Sequence, residues 1–411
     1  MENIYSDIAK RSEGAIMIGV VGPVRTGKST FIKRFMDLLV IPNIQNTYSR
    51  ERAIDELPQS GSGRTIMTTE PKFIPNEAVE IRPADNATMS VRMIDCVGYI
   101  VKSAMGHIEE NAPRMVKTPW NDEEIPFAQA AEIGTSKVIR EHSTIGLVVT
   151  TDGSITDIDR NDYVEAEDRV INELKEINKP FIVLLNCINP YSESAQQIKK
   201  DIETKHSVCV LPVNCAELDA ADINSIIEKI LFEFPINEIA INLPSWVDVL
   251  ETEHRIKKSL YGKILSTINN IHKISDTHLI VQALSEDENV SNAEICSMNL
   301  GEGNILCNVT IDDELFYKVL GENSGFEIKG KDTLMSLITE LAETKRQYDK
   351  IETDLNEVRE TGYGIVAPTT SELSLEEPEI VRQGSRYGVR LRASAPSIHM
   401  IRNKPKSLEA A

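Results

Sequence analysis

The chain has 411 residues, 41% of them hydrophobic and 26% charged, enough to fill about two or three cores of roughly 150 residues each, which excludes disorder throughout. Sixty-four acidic against 44 basic residues give a formal net charge of -20, so the chain as a whole repels phosphate backbones and no nucleic-acid partner is expected. Its six cysteines occur singly, with no Cys-x-x-Cys pair and no His spacing that would complete a zinc site, a pattern of reduced thiols rather than a disulfide framework.

The N-terminus, MENIYSDIAKRSEG, lacks the apolar core of a secretory signal, and no apolar run approaches the roughly 18 residues of a membrane span. A cytoplasmic chain, or one peripheral to a membrane, is expected. Ala15 to Val21 (AIMIGVV) is a short run rich in β-branched residues, followed by a Gly-containing loop and a helical stretch from Lys28 to Val40: strand, loop, helix. Lys72 to Arg82 and Thr88 to Cys96, joined by Pro83-Ala84-Asp85-Asn86, read as an antiparallel hairpin on a sheet edge. The span from Gly98 to Thr144 reads as an insertion, a loop with one helix. Apolar runs at Ile145 to Thr151, Pro180 to Asn186 and Val208 to Asn214 then alternate with helical patterns near 161–178, 192–205 and 222–233. Buried strands alternating with helices predict a parallel α/β sheet.

Pro235 and Pro244 bracket a boundary, so a nucleotide domain over 1–240 is followed by a smaller α+β domain over 241–332, with a helical pattern at 248–272. Across 333–361, Leu334, Leu337, Leu341, Thr344, Tyr348, Ile351, Leu355 and Val358 alternate by three and four. That is a heptad seam, open to a partner helix or to docking on the chain's own domain. The last segment, 362–411, is loop-rich. From Val381 to Ala411 it holds seven Lys or Arg against Glu409 alone, +6, leaving -26 on the rest. A basic end on an acidic body predicts an anionic surface or an acidic neighbouring subunit as its partner.

The strongest signal is Gly22-Pro-Val-Arg-Thr-Gly27-Lys28-Ser29, which fits G-x-x-x-x-G-K-[ST] between a predicted strand and helix. Backbone N–H groups of Gly22, Arg25, Thr26, Gly27, Lys28, Ser29 and Thr30, at or near a helix N-terminus, would cradle phosphates. Lys28 would bridge the β- and γ-phosphates and the Ser29 hydroxyl would ligate Mg²⁺. Asp95 ends the run SVRMI and opens Asp95-Cys-Val-Gly98, a D-x-x-G pattern that offers a carboxylate on the metal side and a glycine N–H to a γ-phosphate. Thr68 and Thr69, in TIMTTEP, are the candidates for a switch threonine, with Thr69 also on the metal.

In guanine-binding relatives of this loop, N-K-x-D follows the strand that here reads PFIVLLN. This chain has Asn186-Cys-Ile-Asn189. An amide presents one donor and one acceptor edge where a carboxylate would accept both guanine N–H groups, so guanine selectivity should collapse and ATP is expected, with Asn186 beside it. Tyr99 follows Gly98 where small GTPases carry a water-positioning glutamine, so slow hydrolysis is expected. Arg25, inside the loop, is a candidate charge-stabilising arginine, against a plain solvent or salt-bridge role.

The segments GVVGPVRTGKSTFIKRFM, DELPQSGSGRTIMTTEPKFIPN, DCVGY, PWNDEEIPFAQAAEIGTSKVI, EHSTIGLVVTTDGSI, NLPSWV, TGYGIVAP and EPEIVRQGSRYGVRLRASAPSIHMI closely resemble the stage IV sporulation protein A family, the spore-coat morphogenetic ATPases of endospore-forming bacteria. The likeness runs over about residues 3 to 401. It implies a P-loop NTPase fold of the translation-factor GTPase type, ATP and Mg²⁺ as cofactors, and hydrolysis coupled to a largely irreversible polymer. That polymer would form the basement layer of the coat, on the mother-cell face of the outer forespore membrane. The family's roles fall on Lys28, Asp95, Thr68 and Thr69. Its partners are the chain itself, the small amphipathic membrane peptide stage V sporulation protein M, and the coat protein stage VI sporulation protein D. Family members continue beyond SAPSIHMI into a region tied to anchoring, whereas this sequence runs to Ala411, which puts anchoring in question. Two rival readings are a regulatory GTPase and a passive structural protein that keeps nucleotide as a stabilising ligand.

Overall fold

The structure, a computed structural model, describes residues 4–58, 71–84, 87–101, 103, 108–109, 112–118, 121–368, 372–384 and 386–403. Helix α1 (Ile4–Arg11) leads into β1 (Ala15–Val21), the phosphate loop and α2 (Lys28–Phe35), which continues as a wider π turn over Met36–Val40. Helix α3 (Thr47–Asp55) starts at Asn46, whose side chain accepts from the Ser49 N–H. Strands β2 (Lys72–Ala84) and β3 (Ala87–Asp95) form the expected antiparallel hairpin. The insertion holds the described helix α4 (Phe127–Lys137), which continues as a π turn over Val138–His142. It also holds two short hairpins, β4 (Ile108–Glu109) with β5 (Ala112–Pro113) and β6 (Met115–Thr118) with β7 (Asn121–Pro126), which the loop reading did not include.

After β8 (Ile145–Thr151), helices and strands alternate: α5 (Arg160–Ile177), β9 (Phe181–Asn186), α6 (Glu193–His206), β10 (Val210–Val213) and α7 (Ala220–Phe232). The six strands order as β10-β9-β8-β1-β3-β2. Five run parallel and only the edge strand β2 is antiparallel. Every residue of β8 and β9 is buried, the mark of strands covered on both faces. Side chains of β1 alternate: Ile16, Ile18 and Val20 pack with Phe31 and Phe35 of α2 and Ile230 of α7, while Val21 packs across the sheet with Val170 and Leu174 of α5. From β1 the winding goes to β3 on one side and β8 on the other. That reversal opens a crevice at the carboxyl end of β1, where the phosphate loop sits.

Residues 236–311 add a three-stranded sheet, ordered β11-β13-β12, from β11 (Glu238–Asn242), β12 (Asn292–Asn299) and β13 (Asn304–Thr310), with α8 (Ser245–Val249), α9 (Arg255–Ile268) and α10 (His278–Ser285). The single helical pattern read over 248–272 is divided. Leu250 turns extended at the end of α8, and α9 restarts where the His254 ring accepts from the Ile256 N–H at 3.4 Å. Lys273 joins this part to α7 through Glu233 at 2.6 Å, and Arg11 donates to the Pro235 carbonyl at 2.5 Å. The chain divides into two compact units, Met1–Ile311 and Asp312–Ala411.

In the second unit, α11 (Asp313–Ser324) ends at Gly325 and is followed by α12 (Lys331–Thr361), a 31-residue helix. The tail contains a ribbon of paired strands as well as loops. It pairs β14 (Tyr363–Val366) with β19 (Ile398–Ile401), β15 (Ser374–Leu375) with β18 (Ala393–Ser394), and β16 (Glu379–Gln383) with β17 (Arg386–Arg390). Val358, near the end of α12, is buried beside this ribbon, but every residue from Leu341 to Lys350 is exposed.

Candidate active site

The loop between β1 and α2 has the left-handed backbone turns that point successive N–H groups inward: φ is 136° at Gly22, 65° at Arg25 and 95° at Gly27. Gly27 caps α2 with no side-chain bond to its first-turn N–H groups, so these donors face the cup of the loop. Thr26 is fully buried and turns its hydroxyl inward, donating to the Pro23 carbonyl at 3.0 Å. The Lys28 ammonium folds into the same cup and donates to the carbonyls of Pro23 at 2.7 Å and Gly22 at 3.4 Å. Thr30 follows on the first turn of α2. Arg25 is the one residue of the loop that holds a positive φ with a Cβ, a conformation that costs about 1 kcal/mol or more and that glycine would relieve.

Ser29 and Asp95 meet as expected: the hydroxyl donates to Asp95 Oδ2 at 2.7 Å. Burial pushes the Asp95 carboxyl above its ordinary range, against the Ser29 hydrogen bond and the charges of Lys28 and Lys72, which pull it down. A hydroxyl and a carboxylate side by side, both hard oxygen donors, fit Mg²⁺, which keeps several waters and takes its other ligands from phosphate oxygens rather than from an all-protein cage. No group of three or more His, Cys, Asp or Glu able to hold a metal occurs among the described residues.

Burial lowers the Lys28 ammonium from its ordinary 10.5 to about 8, with Asp95 drawing it back up. Between those values the unfolded chain binds the proton and the folded chain does not. The cost of burying the charge is therefore fully present below about pH 8, and the nucleotide-free protein gains stability as pH rises above it. A phosphate held by Lys28 would run the other way, because it would need the cation. Nucleotide affinity should fall by up to about tenfold per pH unit above about pH 8. Calorimetric titration across that range checks this, and a flat profile would remove Lys28 from the phosphate contact.

Gly98 holds φ 96° directly against this cup. A Cβ there would lie 2.6 Å from Lys28 Nζ and 2.7 Å from the Gly22 carbonyl oxygen, so only glycine allows the approach. The next residue staples the two motifs together: the Tyr99 N–H donates to Gly22 O at 3.1 Å and its carbonyl accepts from the Val24 N–H at 2.8 Å. The Tyr99 side chain is not in the cup. It is buried and donates to Glu173 of α5, beside Arg169, which pairs with Glu132 of α4 at 2.6 Å.

Asn186, expected beside the nucleotide, is a buried brace on the loop. Its Nδ2 donates to the Thr26 carbonyl at 2.9 Å, and its Oδ1 accepts from the Cys215 N–H at 3.0 Å. In the loop after β9, Asn189 Oδ1 accepts from the Tyr191 N–H at 3.1 Å, and Ser154 Oγ accepts from the Ile188 N–H at 3.0 Å. The structure thus brings Gly22, Arg25, Thr26, Gly27, Lys28, Ser29, Thr30, Asp95, Gly98 and Asn186 to one crevice. Thr68 and Thr69 lie outside the described residues. Sequence reasoning missed Cys215 and Glu173: one acts through its backbone N–H and the other through a fold contact, and neither carries a motif.

The model for the ATPase domain of stage IV sporulation protein A matches residues 1–235, and that for its middle domain matches residues 236–407. The chain is 53% identical over 400 residues to stage IV sporulation protein A of Clostridioides difficile, aligning 97% of its own length and 82% of the relative's. Against the Bacillus subtilis protein of that name the identity is 49%, with 97% and 81% covered. Among solved structures, the FeoB G-domain from Methanococcus jannaschii is 13% identical, covering 53% of this chain and 97% of that one at a TM-score of 0.28, too low a score to bear on fold or activity. With a P-loop α/β domain bearing a built phosphate cup, and family matches running nearly end to end, the chain belongs to the stage IV sporulation protein A family.

Proposed function

We propose that this chain is a slow, magnesium-dependent ATPase whose hydrolysis drives its self-assembly into the basement layer of the bacterial spore coat. The observation that supports ATP over GTP is the base-side loop. Asn189 stands where a carboxylate would read guanine, and Asn186 has its amide engaged with Thr26 and Cys215. Without a carboxylate that accepts both guanine N–H groups, the preference for that base is lost.

Within the cup, Lys28 would contact the β- and γ-phosphates, the loop N–H groups would hold them in place, and Ser29 and Asp95 would hold the metal. Magnesium, when bound, supplies charge neutralisation on the phosphate oxygens. The Gly98 N–H would face the γ-phosphate, and Thr68 and Thr69 are proposed as the hydrolytic threonines. Slow turnover follows from Tyr99, whose hydroxyl is engaged by Glu173 and leaves no side-chain amide after Gly98 to orient water.

The place of action is proposed from the family: the mother-cell cytoplasm at the outer forespore membrane, with stage V sporulation protein M and stage VI sporulation protein D as partners. No helix among the described residues is long and apolar enough to cross a membrane, so attachment would be peripheral. Phosphate release measured with ATP and with GTP tests the nucleotide assignment. Turnover should favour ATP by about tenfold or more, and a preference for GTP would overturn the reading in favour of a regulatory GTPase.

A further inference from the structure

Among the described residues, the middle of the α12 seam, from Leu341 through Thr344 to Tyr348, is exposed. Val358 is buried and Leu334, Leu337, Ile351 and Leu355 are half-buried, yet Leu341 and Tyr348 in the middle of the seam are 43% and 38% exposed, with Ile338 beside them at 53%. At 1.5 Å per residue the helix is about 46 Å long, and a helix carrying an exposed apolar seam gains most of its stability from whatever covers that seam.

The heptad frame is regular. Leu334, Leu341 and Tyr348 occupy a positions and Leu337, Thr344 and Ile351 occupy d positions. The flanking residues then decide the orientation of a partner. In a parallel, in-register pair each g residue faces the e residue five positions on in the other copy. Glu340 then meets Lys345 of the second copy, and by symmetry this happens twice. Gln347 meets Glu352, and Thr333 meets Ile338, so no like charges are opposed.

An antiparallel pair centred on the same free stretch would instead set Glu340 against Gln347 and Ile338 against Lys345, with no ion pair. Sliding it toward the helix end, to bring Lys345 to Glu352, would require the seam around Val358, which β14 and β19 of the same unit already cover. Lys345 at present pairs with Asp349 one turn along its own helix, at 2.5 Å and in solvent, a contact weak enough to exchange.

We propose that α12 is a dimerisation helix, pairing in parallel and in register with α12 of a second copy of this chain through Leu334 to Ile351. A two-fold pair of this kind is closed, so it makes dimers, and any polymer grows through another surface of each copy. The link to coat assembly rests on the function proposed above, whereas the pairing rests on the seam and its charges.

The test uses the full chain without nucleotide, in sedimentation equilibrium over a concentration series. Glu340→Lys and Lys345→Glu should each raise the dimer dissociation constant by about tenfold or more through the opposed like charges, and the double variant should return it to within about threefold of the parent. Both positions are exposed, so folding is not at risk. In a chain whose exposed Cys296 is replaced by serine, Leu341→Cys should cross-link to itself on oxidation, because a residues face each other only in the parallel register.

Single variants that dimerise like the parent, a double variant that fails to recover, or a Leu341→Cys chain that does not cross-link would overturn the proposal, the seam then being covered by an antiparallel copy, the first unit or another protein. A chain that dimerises in the predicted pattern but never polymerises with ATP would support the pairing while refuting hydrolysis-driven assembly.

Discussion

Replacing Lys28 by alanine should lower ATP turnover by about a thousandfold while leaving the nucleotide-free protein at least as stable. The first part follows from position. The ammonium sits inside the cup of the loop, buried and at hydrogen-bond distance from the Pro23 and Gly22 carbonyls, where charge on the phosphates would develop. Removing a preorganised charge from such a site typically costs about 10²–10³ in rate or more.

The second part follows from what the substitution leaves behind. Burial pushes the ammonium down to about 8, so the folded chain carries the cost of a desolvated charge that alanine removes. Neither carbonyl is orphaned: Pro23 O still accepts from the Thr26 hydroxyl at 3.0 Å, and Gly22 O from the Tyr99 N–H at 3.1 Å. Thermal unfolding without nucleotide should give a melting temperature equal to or above the parent's. A clear loss of stability would show that the lysine holds the loop together rather than waiting for phosphate.

Asn186→Ala should do the opposite, unfolding the protein more easily by about 2–5 kcal/mol and weakening nucleotide binding through the loop. The amide satisfies two backbone groups at once, the Thr26 carbonyl and the Cys215 N–H, both on residues with no exposed surface. Leaving a buried polar group without its partner costs about 1–3 kcal/mol each. Aspartate should not rescue, because a carboxylate can accept from Cys215 but cannot donate to Thr26. Chemical denaturation of the parent, Asn186→Ala and Asn186→Asp is the check, and a stability within about 0.5 kcal/mol of the parent would mean the brace carries no load.

These two residues show how much of the site can be read in advance. Lys28 and its loop were legible because phosphate chemistry imposes a fixed spacing on glycine, lysine and serine, and Asp95 and Gly98 because one ends the neighbouring strand and the other follows it three residues on. Asn186 was expected near the nucleotide from its place at the end of β9. Its role as a brace was hidden, since the second contact is to a backbone N–H on a residue 29 positions away, which no side-chain pattern marks. Tyr99 was legible as a departure from glutamine, but its burial against Glu173 depends on how α5 lies beside the strand.

In the fold, β1, β8 and β9 announced themselves as short β-branched runs, and the edge hairpin by its turn. The break between α8 and α9 did not, because the helical periodicity continues through Leu250 while the His254 cap restarts the helix. The tail held a short signal in Arg386-Tyr387-Gly388-Val389-Arg390, whose apolar Tyr387 and Val389 pair with Arg382 and Ile380 across β16 and β17; its glycines and prolines masked that signal. The heptad of α12 was plain in the sequence, but the exposure of its middle, from Leu341 to Tyr348, required the structure.

The most direct test of the whole account follows phosphate release and light scattering together in one sample of the full chain, with ATP and Mg²⁺, for the parent and for Lys28→Ala. Slow phosphate release is expected, with scattering that rises only as hydrolysis proceeds, and neither signal in the variant. Scattering that rises equally in Lys28→Ala, or without any phosphate release, would contradict it and mark the nucleotide as a passive ligand of a structural protein.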